Sequence, residues 1–323
     1  MDTAKPYLVA PVASCLGARL TRTSMEDNIL SPRVQVSSIL ALVERFPGID
    51  LVFPFMDTSV EARALGCPHD FKGRVPVVSA HPFADPGQIA GIETPDPYES
   101  EPMHNMIEVT GEIARVCERP VMSFVVGPVT LAAHLMGVTA LVRLAAGNPA
   151  AFSEVLENCV RIVEPYGRAL ASSGASGVVI LEPQLVFFPP RTYEQAVRPA
   201  IERLARALPR PALHVCGDTR RHLAAFGLTR HVECLSLDEA VDFAQAKDSI
   251  PELEGKTLMG NIPAVNVMHR GTPEAVRSAV ERLVGSMQGT FFILSTGCDM
   301  VPDTPLENME AFMQAAARPS AAS

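Results

Sequence analysis

The sequence lacks an excess of basic residues and lacks any long apolar run. Its 323 residues include 27 Lys and Arg against 36 Asp and Glu, which gives a formal net charge of -9. A protein that binds nucleic acid needs a basic surface to neutralise phosphates, so we expect no nucleic-acid partner. No apolar stretch approaches the roughly 20 residues that cross a bilayer, because Gly, Pro or charged residues interrupt each one. We therefore expect no membrane span.

The sequence also lacks the close cysteine pairs of a zinc finger and the dense cysteine pattern of a disulfide framework. Seven cysteines are scattered along the chain. An odd number in a chain of this length suits a reducing compartment. The sequence therefore predicts a cytoplasmic protein in which a cysteine with a role is a metal ligand or a nucleophile.

Short apolar runs recur along the chain, and a longer segment of helical periodicity follows each one, which is typical of βα units. The runs are almost continuously apolar, as expected for parallel strands that helices cover. The chain is long enough for one large core, so we predict that residues 1–323 form a single (β/α)8 TIM barrel. The predicted strands are Tyr7–Ala13, Leu51–Met56, Val121–Val126, Gly177–Leu181, Ala212–Cys216, His231–Leu237, Thr257–Ile262 and Thr290–Ser295.

Two segments depart from this rhythm. Residues 66–101 are rich in Pro and Gly and contain an extra apolar run, Val75–Ser79, which predicts an elaborated loop over one end of the barrel after the second strand. Residues 315–323 are mostly small and predict a frayed tail. An open doubly wound sheet would show the same alternation, but the Gly-rich phosphate turn that usually follows its first strand is missing.

One predicted strand carries an imidazole and a thiol at a two-residue spacing. His214 and Cys216 therefore lie on one face of that strand, about 6 to 7 Å apart along it. The Gly217-Asp218 turn marks its carboxyl end, where barrel enzymes keep their active sites. Alone, the pair would also suit a buried, hydrogen-bonded His beside a small apolar Cys. Cys298 follows the last predicted strand at the same rim, and the three residues together indicate a zinc ion.

Three protein ligands without a fourth soft group are typical of catalytic zinc, which keeps an open coordination position. Such an ion binds a substrate thiol, lowers its pKa and presents a thiolate at neutral pH. Two carboxylates at strand ends are candidate catalytic residues. Glu182 is either a fourth ligand at rest or a carboxylate that caps a helix or loop. Asp57 either binds substrate or caps the following helix.

At these positions the sequence resembles the uroporphyrinogen decarboxylase superfamily, and within it the methylcobamide:coenzyme M methyltransferase branch. The resemblance covers nearly the whole chain. In that branch a His-x-Cys pair and a distant Cys bind zinc, and His214, Cys216 and Cys298 match those positions. The motifs are Phe53-Pro54, Ala62 to Cys67, Leu213 to Thr219, Gly260 to Pro263, and Ser295 to Pro302 through Asn308.

The resemblance implies that zinc activates a thiol such as coenzyme M, which takes a methyl group from a methylated corrinoid carried by a separate partner protein. It also makes Asn261, with Asp57, a candidate substrate-binding residue. Two departures lie at the substrate rim: Ala264 ends the stretch after Gly-Asn where the family usually has an acidic residue, and Glu182 stands where Asp is common. The acceptor is therefore open between coenzyme M, another thiol and tetrahydrofolate.

Two other classes of protein stay open. One is a metal-free decarboxylase or lyase, although the arginine-rich N-terminal motif of the decarboxylase is not recognisable in residues 14–22. The other is a non-catalytic barrel with a structural metal. The sequence names neither the upstream methyl donor nor the oligomeric state.

Overall fold

The computed structural model describes residues 6–71 and 75–317, in which parallel strands alternate with helices. The strands are β1 Tyr7–Val9, β2 His69–Phe71, β3 Pro76–Val78, β4 Met122–Val126, β5 Gly177–Leu181, β6 Ala212–Val215, β7 Cys234–Leu237, β8 Thr257–Ile262 and β9 Phe292–Thr296. One seven-stranded parallel sheet has the order β1, β9, β8, β7, β6, β5, β4, and β2 pairs with β3 antiparallel. The first strand lies beside the last, so the sheet curls, whereas a doubly wound sheet would keep its first strand inside.

Helices follow the parallel strands and supply the outer layer. The α-helices are α1 Cys15–Thr21, α2 Met25–Leu30, α3 Pro32–Arg45, α4 Val60–Ala64, α5 Pro86–Ala90, α6 Glu101–Val116, α7 Pro128–Met136, α8 Val138–Gly147, α9 Pro149–Ser172, α10 Pro190–Thr192, α11 Arg198–Arg206, α12 Leu223–Gly227, α13 Phe243–Ser249, α14 Pro273–Ser286 and α15 Leu306–Ala317. Short 3-10 turns cover Pro183–Phe187, Arg220–His222 and Pro251–Leu253, and π-helical turns cover Tyr193–Val197 and Ala264–His269.

No helix within the described ranges has both the length and the apolar character needed to cross a bilayer on its own. The consecutive helices α7 and α8 meet those two criteria only when joined, and the chain bends by 112° between them.

The apolar core has two layers, one inside the curled sheet and one between the sheet and the helices. Successive residues of a strand point to opposite faces. On β6, Ala212 accordingly packs in the inner layer and Leu213 in the outer one. The inner layer also holds Phe124, Met259 and Ile293, which fill the amino-terminal half of the sheet. His214 has the same facing as Ala212 and continues this inner surface towards the carboxyl rim.

The predicted second strand, Leu51–Met56, is wrong in extent. It makes one parallel bridge, between Val52 and Val121. Two hydrogen bonds connect it to the β4 side, from Val52 N to Pro120 O at 3.0 Å and from Met122 N to Val52 O at 2.8 Å. Pro54 has no N–H to donate, which explains why the ladder does not continue beyond this point.

The segment 66–101 is more regular than a loop. It contains the β2/β3 hairpin and α5, and Val75 lines the same pocket as Cys298. Residues 72–74, between β2 and β3, lie outside the described residues.

The predicted frayed tail is wrong for residues 315–317, which complete α15. Ala315 and Ala316 are buried, and Tyr7 Oη donates a hydrogen bond of 2.9 Å to Ala316 O. This bond fastens the end of the helix to β1. Residues 318–323 lie outside the described residues.

Two helical glycines give a matched test of the packing between α1 and α3. A Cβ on Gly17 would lie 2.2 Å from the Ser38 carbonyl oxygen, whereas a Cβ on Gly285 in α14 would meet nothing within 4 Å. We expect Gly17→Ala to lower the free energy of unfolding by about 1 to 3 kcal/mol, because the backbones must move apart. The control Gly285→Ala should raise it by about 0.5 to 1 kcal/mol. Urea unfolding measures both, and equal effects would contradict the packing.

Candidate metal centre

The end of β6 presents an imidazole and a thiol in contact. His214 is 2% exposed, and its Nε2 lies 3.1 Å from Cys216 Sγ. The two-residue spacing puts both side chains on the inner face, because side chains alternate along a strand. The strand stops at Val215, so Cys216 stands at the carboxyl rim of the sheet.

Cys298 completes a group of three donors. It follows β9 after Gly297, and its Sγ lies 3.4 Å from Cys216 Sγ. The ligand atoms of His214, Cys216 and Cys298 all lie within 4.8 Å of one another. A tetrahedral zinc ion, with Zn–S of about 2.3 Å and Zn–N of about 2.0 Å, holds such donors roughly 3.5 to 3.8 Å apart. The two measured separations, 3.1 and 3.4 Å, are within a few tenths of an ångström of these values, and the third pair lies within the 4.8 Å limit.

The electrostatics of the group also fit a cation. The hydrogen bond with the Cys216 thiol, followed by burial, holds the pKa of the Cys298 thiol well above its ordinary value. A thiolate is the form that binds metal, and a cation between the two sulfurs stabilises that form. Without a cation, deprotonation of the Cys298 thiol is therefore unfavourable, and a metal ion would offset this cost.

A pocket of 530 Å³ opens next to this group. Cys298 and Asp299 line it, together with Asp238 at the end of β7 and Val265 after β8. Its place at the carboxyl rim is where a substrate reaches the inner face of a parallel barrel. Cys298 belongs both to the lining of this pocket and to the donor group, so the two are adjacent.

Glu182 lies at the neighbouring strand end, but its carboxylate faces a helix. Oε1 accepts a hydrogen bond of 2.9 Å from Val129 N, and Oε2 accepts bonds of 2.8 and 2.7 Å from Thr130 N and Oγ1. Gly127 leaves the room for it, since a Cβ there would lie 2.2 Å from the carboxyl carbon. Glu182 thus caps α7 and is outside the group of three donors.

Asp57 is buried and fully engaged in local contacts. Its Oδ1 accepts hydrogen bonds from Ser59 N at 2.8 Å and Ser59 Oγ at 2.6 Å. Its Oδ2 forms an ion pair of 2.9 Å with Arg63. These contacts connect Asp57 to Ser59, which precedes α4, and to Arg63 within that helix.

Asn261 also binds backbone. Its Nδ2 donates to Asp238 O at 3.2 Å and to Val241 O at 2.5 Å. The Asn261 side chain, on β8, therefore holds the loop that follows β7. It is not one of the three donors.

Three polar residues near the rim were not predicted: Ser236 and Glu61, which are buried, and Asp238, which is half-buried. Ser236 on β7 and Asp238, the residue after this strand, contact the segments that carry the three candidate donors. Glu61 on α4 is buried, and its Oε1 accepts a hydrogen bond of 2.8 Å from Val126 N at the end of β4. Burial raises the pKa of Glu61 to about 8. Ser236 and Asp238 have the same two-residue spacing as His214 and Cys216, and this pattern in the sequence could have identified them. No sequence pattern marks Glu61 as a residue of the rim.

The sequence profile of the uroporphyrinogen decarboxylase (URO-D) family matches residues 13–319. The chain belongs to this family. The methylated-thiol–coenzyme M methyltransferase of Methanosarcina mazei is 28% identical over 277 residues, which cover 83% of this chain and 72% of that relative. The methylcobamide:CoM methyltransferase MtbA of the same organism is 28% identical over 205 residues, which cover 62% of this chain and 58% of that relative.

A solved structure supports the fold of this URO-D family member. A methyltransferase from Methanosarcina mazei superposes with a TM-score of 0.87 and 21% identity, over 97% of this chain and 94% of the other. The resemblance inferred from the motifs is confirmed, and the relatives identify the chain as a methyltransferase of the URO-D family.

Glu182→Gln tests the capping role through the pH dependence of stability. Burial raises the pKa of Glu182 in the folded URO-D chain from 4.5 to about 7, so between these values the folded chain keeps a proton that the unfolded chain releases. The contribution to stability is fully present below the lower pKa and falls, by about 3 kcal/mol, as pH rises through the upper one.

The amide variant has no such proton. Urea unfolding at pH 5, 6, 7 and 8 should therefore show the wild type losing stability relative to the variant up to about pH 7. A constant difference between the two proteins over this range would contradict the buried, protonated carboxyl.

Proposed function

We propose that this protein is a zinc-dependent methyltransferase that moves a methyl group from a methylated corrinoid, carried by a partner protein, to a thiol such as coenzyme M. The observation that carries the proposal is the convergence of His214, Cys216 and Cys298 beside a pocket at the carboxyl rim. The names of the two relatives, which mention coenzyme M and methylcobamide, support the same reaction.

The proposed architecture is a single closed barrel in which the chain at residues 50–52 fills the eighth position. Asp50 N donates to Val9 O at 2.7 Å on one side, and Val52 is hydrogen-bonded towards β4 on the other. Such closure would join all strand ends into one rim and give the donor group a continuous wall.

His214, Cys216 and Cys298 would hold the zinc. Among the described residues the group contains no fourth donor, which supports an open coordination position on the ion. A bound zinc ion supplies Lewis acidity that lowers the pKa of an acceptor thiol, so that the thiolate forms at neutral pH. Glu182 is not needed as a ligand in this proposal, because three donors of α7 already engage its two oxygens.

The chain's own contribution is positioning. The pocket would hold the acceptor so that its sulfur meets the methyl group in line with the carbon–cobalt bond. The sulfur–carbon bond forms as the carbon–cobalt bond breaks, the bonding pair stays on cobalt, and the thiol proton has passed to solvent. Exposed Val265 and Phe187, on segments that follow β8 and β5, support docking of the corrinoid protein over this rim.

Zinc content tests the ligand set. We expect about one zinc ion per chain in the wild type, and loss of zinc in Cys216→Ala and in Cys298→Ala, because each variant keeps only two ligands. Cys234→Ala is the matched control, since this thiol packs against the inner layer but lies outside the donor group. Elemental analysis of the four purified proteins measures the outcome. A wild type that stays free of zinc after reconstitution would favour the metal-free lyase instead.

Acceptor identity is tested with methylcob(III)alamin as donor and either 2-mercaptoethanesulfonate or tetrahydrofolate as acceptor. We expect the thiol to be methylated and Cys298→Ala to be inactive, because the thiolate needs the metal. Loss of the methylcobalamin absorbance and mass spectrometry of the product measure the transfer. If only the folate is methylated, the acceptor is tetrahydrofolate and not a thiol. Zinc binding without any methyl transfer would favour the non-catalytic barrel.

A further inference from the structure

Strand β7 contributes no donor to the proposed metal centre, yet Ser236 on this strand and Asp238 directly after it contact the segments that do. Ser236 faces the inside of the sheet, as its register partner His214 does, and Asp238 follows just past the end of the strand. The strand lies beside β6, which carries His214 and leads to Cys216.

Ser236 fixes the ring of the histidine donor. His214 and Ser236 are direct partners in the parallel register of β6 and β7. His214 Nδ1 lies 2.9 Å from Ser236 Oγ, and Ser236 is 2% exposed. When Nδ1–H donates to this hydroxyl, the lone pair stays on Nε2, which faces Cys216. The contact therefore sets both the tautomer and the orientation that a metal needs.

Asp238 fixes the chain beside both cysteine donors. Its Oδ2 accepts a hydrogen bond of 2.8 Å from Gly217 N, the residue after Cys216. On the other side it packs against Gly297, the residue before Cys298, where a Cβ would lie 2.6 Å from Asp238 Oδ1. One carboxylate thus touches the backbone next to two ligands that are distant in sequence.

Asp238 is itself held in place. Its Oδ1 accepts a hydrogen bond of 2.8 Å from Glu239 N, and its backbone oxygen accepts one from Asn261. Neither contact involves one of the three candidate donors, so both hold Asp238 independently of the donor group.

We infer that Ser236 and Asp238 are positioning residues that pre-form the metal centre from β7, an assignment that rests on the metal site proposed above. Ser236 orients the imidazole of His214, and Asp238 sets the separation of Cys216 from Cys298. Removing either contact loosens the ligands without removing one. Outer contacts of this kind typically change metal affinity 10- to 100-fold.

Ser236→Ala tests the first contact. We expect the zinc dissociation constant, measured by competition with a chromophoric chelator, to rise about 10- to 100-fold. Ser236→Thr keeps the hydroxyl and should restore binding. The matched control is Ser123→Ala, since Ser123 is a buried serine on β4 that is hydrogen-bonded at 2.8 Å to Thr110 instead. The absorption of the cobalt(II)-substituted protein should change in Ser236→Ala and be unaltered in the control.

Asp238→Asn tests the second contact, with Asp242→Asn as control because Asp242 caps α13 through Gln245 N at 2.9 Å. We expect zinc to bind roughly 10-fold more weakly in the first variant only. Far-ultraviolet circular dichroism and thermal unfolding verify the fold of every variant. If wild type binds zinc and both β7 variants bind it equally well, this inference is wrong while the proposed function stands. A wild type without zinc would overturn both.

Discussion

The register between β6 and β7 is the constraint on which the rest of the site depends. His214 stands opposite Ser236, and Ala212 stands opposite Cys234. Side chains alternate across a strand, so a shift of one residue would turn the imidazole out into the helix layer and bring Leu213 inside. The register is secured by apolar burial on both faces of the sheet. The hydrophobic core thereby selects the arrangement in which the donors converge.

The rim above this core carries more polar side chains than a metal requires, and most of them serve the backbone. Glu182 binds the first N–H groups of α7, and Asn261 binds two carbonyl groups after β7. Loops that connect strands to helices leave N–H and C=O groups without regular partners, and buried ones must be satisfied. Glu182 and Asn261 therefore support the backbone of the rim, and neither belongs to the donor group.

Asp238 shows how these two purposes meet. It accepts hydrogen bonds from Gly217 N and Glu239 N, and it also lines the pocket beside Cys298. A loop support that touches two ligand-bearing segments couples the geometry of the pocket to that of the donors. In the proposed site, contacts from β7 and the residue after it would therefore help to hold the donors in place.

The strands on either side of the site illustrate what periodicity predicts and where it fails. Gly177–Leu181 and Thr257–Ile262 have the bounds that their apolar runs predict. Leu51–Met56 has the same composition, but Pro54 interrupts its hydrogen bonding and one bridge is all that forms. Residues 315–317 have small side chains that show no helical periodicity, so the sequence gives no sign that they are held in place. In the structure, Tyr7 from the other end of the chain donates a hydrogen bond to Ala316 O. Local composition reports neither kind of long-range contact.

The sequence by itself determined the parallel α/β class, because apolar runs report burial directly. It also indicated the three side chains that converge, since a two-residue spacing gives His214 and Cys216 a common face and Cys298 follows the last strand at the same rim. Only the tertiary structure decided what surrounds the donors. Whether Glu182 turns towards a metal or towards α7, and which residue holds His214, depend on neighbours that are distant in the chain. Those contacts arise from strand order and register, which no single strand encodes alone.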